Sequence, residues 1–154
     1  MSNALYGPAL QDIHKLQSTT GVVMIRLLIV EDRPGVGQGL RMLFDAESDL
    51  SVIGEAADDA AALALTAALG PDVVLMDVEQ RRMDGIAATT ALHQAFPRTP
   101  IVMLSIDDDA CARARADGAG AAAFVSKLMP AETLLTAIRQ AVCRSGSAPI
   151  APAR

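Results

Sequence analysis

The chain has 154 residues, the size of one compact domain. Its side chains are 51% apolar and only 3% aromatic, so a core must come from Ala, Leu, Ile, Val and Met. A net charge of −5 argues against direct binding of a nucleic-acid backbone or an anionic membrane, since both need a basic face. Two distant cysteines, Cys111 and Cys143, exclude a disulfide-dense scaffold and a zinc cluster, and both are expected to be small core hydrophobes.

Residues 1–23 lack the basic start, apolar stretch and small-residue cleavage site of a signal peptide, and are expected to be an N-terminal extension or a tag-derived segment. The body runs from 24 to 144. It opens on an apolar, β-branched run at 25–30 (IRLLIV), followed by helical spacing over 36–46. A second strand is expected at 51–55 and a helix at 58–69, stopped by Gly70-Pro71. The run DVVLM at 72–76 precedes a helix over 85–96, whose exit is bracketed by Pro97 and Pro100. A fourth strand at 101–104 leads to a helix over 108–117, which Asp117-Gly118 would close. The last pair is a strand at 122–125 and a helix at 131–143, with Pro130 suited to its first turn and Leu134, Leu135, Ile138 and Val142 on one stripe. Residues 145–154 (SGSAPIAPAR) read as a linker or tail. No apolar run reaches the roughly eighteen residues of a membrane span, and the expected location is the cytoplasm. Five strands alternating with five helices predict an α/β protein, a (βα)5 doubly wound parallel sheet with helices on both faces.

In such a sheet ligands bind at the carboxyl ends of the strands. Glu31 and Asp32 follow the first strand, Asp77 the third, Ser105 the fourth, and Lys127 stands just past the fifth. The fold would gather three carboxylates, a hydroxyl and an ammonium at one rim. Clustered carboxylates repel unless a cation neutralises them, and oxygen ligands without His or Cys select Mg²⁺ or Mn²⁺. An Asp carboxylate can accept a phosphoryl group as an acyl phosphate, so the constellation reads as a metal-assisted phosphoryl site with Asp77 as nucleophile.

Residues 25–143 resemble the receiver domains of two-component response regulators. The resemblance rests on Glu31-Asp32, on Asp77 followed by Met83-Asp84-Gly85, on Ser105, and on Lys127 three residues after Phe124. The segments LIVED, DVVLMDV, IVMLS and DGAGAAAFVSK are most similar to receivers that precede a LuxR/NarL-type helix-turn-helix. That resemblance implies a flavodoxin-like sheet with strand order 2-1-3-4-5. It also implies that Asp77 accepts a phosphoryl group from a sensor histidine kinase. Glu31, Asp32, Asp77 and the backbone carbonyl of Glu79 would hold Mg²⁺. Lys127 would pair with the acidic cluster and then with a phosphoryl oxygen, while Ser105 and Phe124 would switch position. The readout would be the face of the fourth helix, fifth strand and fifth helix. Homodimerisation is a further implication, and DNA would be reached only through a domain absent from this chain.

Some positions depart from the family pattern. Gln80-Arg81 replace a common Met-Pro, which leaves the loop less pre-organised, and Glu79 adds a carboxylate beside the site. Leu128 stands where many receivers have Pro, which favours a trans bond, and Ile106 is bulkier than usual. Ser105 as a plain helix cap, the Asp107–Asp109 run as helix-start charge, and Arg113 and Arg115 as solvated residues are the duller readings. Two other functions compete: a pseudo-receiver acting as a protein-interaction module, and a phosphatase of the haloacid dehalogenase type.

Overall fold

The computed structural model describes residues 23–80 and 84–146. The expected terminal segments lie almost wholly outside these residues, as do Arg81, Arg82 and Met83. Strand β1 (Ile25–Val30) leads into helix α1 (Pro34–Asp45), β2 (Leu50–Ala56) into α2 (Asp59–Leu69), and β3 (Val73–Asp77) into α3 (Gly85–Ala95). Then come β4 (Ile101–Ser105), α4 (Ala110–Ala119), β5 (Ala123–Ser126) and α5 (Ala131–Arg144). The five strands pair in parallel in the order β2-β1-β3-β4-β5, as expected of the doubly wound fold.

Alternate residues of each central strand face opposite layers. Leu27, Ile29, Val73, Leu75, Val102 and Leu104 join Phe44 of α1 and the Leu134, Leu135, Ile138 and Val142 stripe of α5. Leu28, Val30, Val74, Met76, Ile101 and Met103 point the other way, onto Ala62 of α2, Ala88 and Leu92 of α3 and Ala116 of α4. β3 and β4 are buried along their whole length, which explains why their sequence shows no polar alternation.

Local chemistry sets the boundaries. α1 starts two residues before the expected position because Pro34 occupies its first turn. Asp58, Asp84 and Asp109 accept hydrogen bonds from the first amides of α2, α3 and α4, so Asp109 caps α4 and Ser105 does not. The expected stop at Asp117-Gly118 is corrected: α4 runs on to Ala119 and ends at Gly120, whose φ of 93° is left-handed. Pro130 sits just outside α5, as its N-cap. Cys111 and Cys143 are exposed, a second correction, because both fall on the outer faces of their helices. Arg113 is more engaged than a solvated residue: it pairs with Asp108 and its guanidinium lies 5.2 Å from the centre of the Phe124 ring. No helix among the described residues is long and apolar enough to cross a membrane.

Arg139 of α5 clasps the loop before β2, donating from Nε to Asp49 at 2.8 Å and from Nη2 to Glu47 at 2.8 Å. The Arg139 guanidinium bonded to it holds the Asp49 carboxyl below its ordinary value. A depressed carboxyl stabilises the fold above that ordinary value and loses its contribution as the pH falls. Urea denaturation of Arg139→Ala is expected to show a loss of about 1 kcal/mol at neutral pH, shrinking in acid.

Candidate functional site

The carboxyl ends of β1, β3, β4 and β5 form one rim, and the loops beyond them meet there. Asp77, the last residue of β3, is 1% exposed. Lys127, the first residue past β5, places Nζ 2.8 Å from Asp77 Oδ1 and 2.7 Å from Oδ2. The backbone N–H of Glu79 also donates to Oδ1, at 2.9 Å. Glu31 is buried beside it at the end of β1, and Asp32 follows, half-buried.

Glu79 draws the fourth strand into the cluster. Its Oε1 accepts from the Ser105 hydroxyl at 2.5 Å and from the Ile106 N–H at 2.7 Å, and its Oε2 lies 3.0 Å from Lys127 Nζ. Burial works to raise the Glu79 carboxyl, but these hydrogen bonds from Ser105, Lys127 and Ile106 outweigh it and hold the group below its ordinary value. Glu31 goes the other way. Burial first and adjacent Asp77 second push its carboxyl up, the Arg33 N–H groups only partly offset this, and the result is about 7.

The structure therefore brings Glu31, Asp77, Glu79, Ser105 and Lys127 into direct contact or one step from it. Phe124 stands apart: it is half-buried in β5, packed toward the α2–α4 layer with Arg113 over its ring. Gln80 supplies some of the order expected to be lost with proline, since its side-chain amide donates to the carbonyls of Asp77 at 2.6 Å and Val30 at 3.2 Å. The bond before Leu128 is trans.

One participant is not foreseen from the sequence. Arg33 donates from Nη2 to Asp77 Oδ2 at 3.1 Å and from Nε to Glu31 Oε1 at 3.2 Å. The available signal is a basic residue in a helix N-cap position, where Ser, Thr, Asp or Asn is preferred.

Among the described residues no three His, Cys, Asp or Glu side chains stand grouped as a ready-made metal site. The donor set nonetheless fits a hard divalent cation. It is all oxygen, and Glu31 Oε2 is buried without a hydrogen-bond partner. A carboxylate fixed by ammonium, guanidinium and amide donors, with a hydroxyl nearby, is equipped to attack an electrophilic phosphorus atom and to see the arriving oxygens stabilised.

Comparison with known proteins places these features in context. The sequence profile described as "Response regulator receiver domain" matches residues 27–139. The chain is 38% identical over 117 residues to the uncharacterized transcriptional regulatory protein YxjL of Bacillus subtilis (strain 168), covering 76% of this chain and 54% of that protein. It is 38% identical over 120 residues to the transcriptional regulatory protein LiaR of the same organism, covering 77% and 56%. Among solved structures, a LuxR-family two-component response regulator from Aurantimonas sp. SI85-9A1 superposes with a TM-score of 0.75 at 29% identity, covering 79% of this chain and 86% of that one. The chain spans about half the length of these two Bacillus relatives.

Proposed function

This chain belongs to the response regulator receiver domain family, and on that footing we propose that it is a phosphorylation-dependent switch whose Asp77 accepts a phosphoryl group from a sensor histidine kinase. The observation that carries this reading is the buried Asp77 carboxylate, held by Lys127 and the Glu79 N–H at the carboxyl edge of the central strand. In the transfer an Asp77 oxygen bonds to phosphorus as the phosphorus–nitrogen bond of a phosphohistidine breaks, and the freed imidazole takes up a proton. Lys127 offsets the charge arriving on the phosphoryl oxygens.

Glu31, Asp32, Asp77 and the carbonyl of Glu79 would hold Mg²⁺, which when bound supplies neutralising charge to the transferring group. The phosphoryl group adds about −1.5 to −2 charges and competes with Glu79 for Ser105, Ile106 and Lys127. Once drawn to the new anion, Ser105 carries the β4–α4 connection with it, and Phe124 turns inward behind it. That biases a two-state output face made of α4, β5 and α5.

The domain proper spans 24–144, with 145–154 as linker. The chain spans about half of two relatives named as transcriptional regulatory proteins, which supports control of a DNA-binding domain lying outside this chain. A cytoplasmic location and homodimerisation, through α4 and α5 or through α1 and α5, belong to the same reading. Membership of the family favours this reading over the phosphatase one. A pseudo-receiver remains the competing outcome, and the density of internal contacts around Asp77 favours testing it.

Incubation with acetyl phosphate and Mg²⁺ is expected to add the mass of one phosphoryl group to the wild type and nothing to Asp77→Asn. The adduct should survive acid and be lost in base. A wild-type chain that neither gains this mass nor binds beryllofluoride is a pseudo-receiver.

A further inference from the structure

We propose that Arg33 is an internal counter-ion that occupies the acidic cleft in place of a divalent cation and has to leave before one binds. The guanidinium joins two carboxylates delivered by different strands, Glu31 after β1 and Asp77 at the end of β3. Both anionic side chains are 1% exposed, whereas the Arg33 side chain is 32% exposed, so the cation lies over the anions as a cover. The Arg33 backbone N–H donates to the same Glu31 oxygen at 2.8 Å, so the root of the side chain keeps a hold of its own when the head lets go.

The choice of residue runs against local preference. Arg33 is the N-cap of α1, has φ −100° and ψ 112°, and makes no side-chain cap. A cation at a helix N-terminus meets the positive end of the macrodipole, and a capping oxygen is forgone as well. A residue that breaks two local rules has its compensation elsewhere, and here it lies in the two carboxylates across the cleft.

Cation and guanidinium compete for the same two carboxylates. A hard divalent ion takes carboxylate oxygens directly at short range, and Arg33 is bonded to one oxygen of each carboxylate concerned. Lys127 approaches Asp77 from the β5 side and also touches Glu79, so it does not substitute for Arg33 at Glu31. Metal occupancy is thus a competition that the resting chain biases against the metal, and the effective magnesium affinity is set by how readily Arg33 swings out.

This inference takes from the proposed function only the identity of the cation, and calorimetry separates the two. Mg²⁺ titrated at low ionic strength into Arg33→Ala and Arg33→Gln is expected to bind on the order of tenfold more tightly than to wild type. Arg41→Ala, which removes an equal charge paired to Glu55 away from the cleft, should leave the affinity unchanged. Circular dichroism melts in EDTA verify that each variant is folded, and Arg33→Gln keeps a long polar side chain if truncation loosens the helix start. Manganese broadening of amide resonances at the ends of β1 and β3 gives a second readout of site occupancy. Affinity in both Arg33 variants equal to or weaker than wild type overturns the inference, even beside a normal phosphoryl adduct. Tighter binding in both supports it, even if no variant forms the adduct and the phosphoacceptor reading fails.

Discussion

At pH 8 without divalent cations, Glu31→Gln is expected to unfold at higher urea than the wild type, a gain of about 1–3 kcal/mol. The sign follows from the direction of the Glu31 shift. Its ordinary value is 4.5, and in the fold burial and the neighbouring Asp77 raise it to about 7. Between those values the folded chain holds a proton that the unfolded chain has released. Stability therefore falls as the pH rises through this window, and above pH 7 the full cost of an ionised, buried Glu31 is present. A glutamine retains an acceptor for the Arg33 N–H and never ionises, so the variant should lose that slope. Near pH 4 the two proteins should converge. Under the proposed function, saturating Mg²⁺ should flatten the wild-type slope, because a bound cation favours the carboxylate. A wild-type pH slope that persists unchanged in Glu31→Gln would assign the titration to another group.

The second large effect is expected at Gly85, the first residue of α3. A methyl group there would lie 2.9 Å from the Asp77 carbonyl oxygen and 2.9 Å from the Val78 Cα, both backbone atoms. No side-chain rotation relieves such an overlap, so the start of α3 must move away from the end of β3. Gly85→Ala should cost about 1–3 kcal/mol. It should also disturb Asp77, whose carbonyl accepts from Gln80 and whose carboxylate anchors the rim. Gly118 is the matching control. It sits inside α4, and a methyl group added there would meet nothing within 4 Å. Gly118→Ala should stabilise the chain by about 0.5–1 kcal/mol. Equal losses at both positions, measured by urea denaturation, would contradict the claim that close backbone approach decides Gly85.

The sheet is legible in the sequence because its central strands are uninterrupted apolar runs, and turn residues separate them from helical spacing. Asp77 and Lys127 are legible for the same reason: in a parallel sheet the residue after a strand lands on the ligand-binding rim whatever its distance along the chain. Contacts made by long side chains are not. Arg33 reaches Asp77 across 44 positions, and Glu79 reaches Ser105 across 26, along directions that only the folded loops define. The end of α4 is misread from sequence because Asp-Gly resembles a stop, whereas a helix tolerates Gly118 and ends only where Gly120 adopts a left-handed backbone. Cys111 and Cys143 defy expectation because small sulfur side chains are usually interior, and hydrophobicity alone does not tell which side of a helix faces water.

Asp77 Oδ2 is a shared mooring for two positive side chains that arrive from opposite ends of the domain sequence, Arg33 at 3.1 Å and Lys127 at 2.7 Å. Removing this carboxylate casts off both lines together, and release of either cation leaves the oxygen to the other. Double-mutant cycles between positions 33 and 127 should consequently depart from additivity, with the shared aspartate oxygen as the knot that couples them.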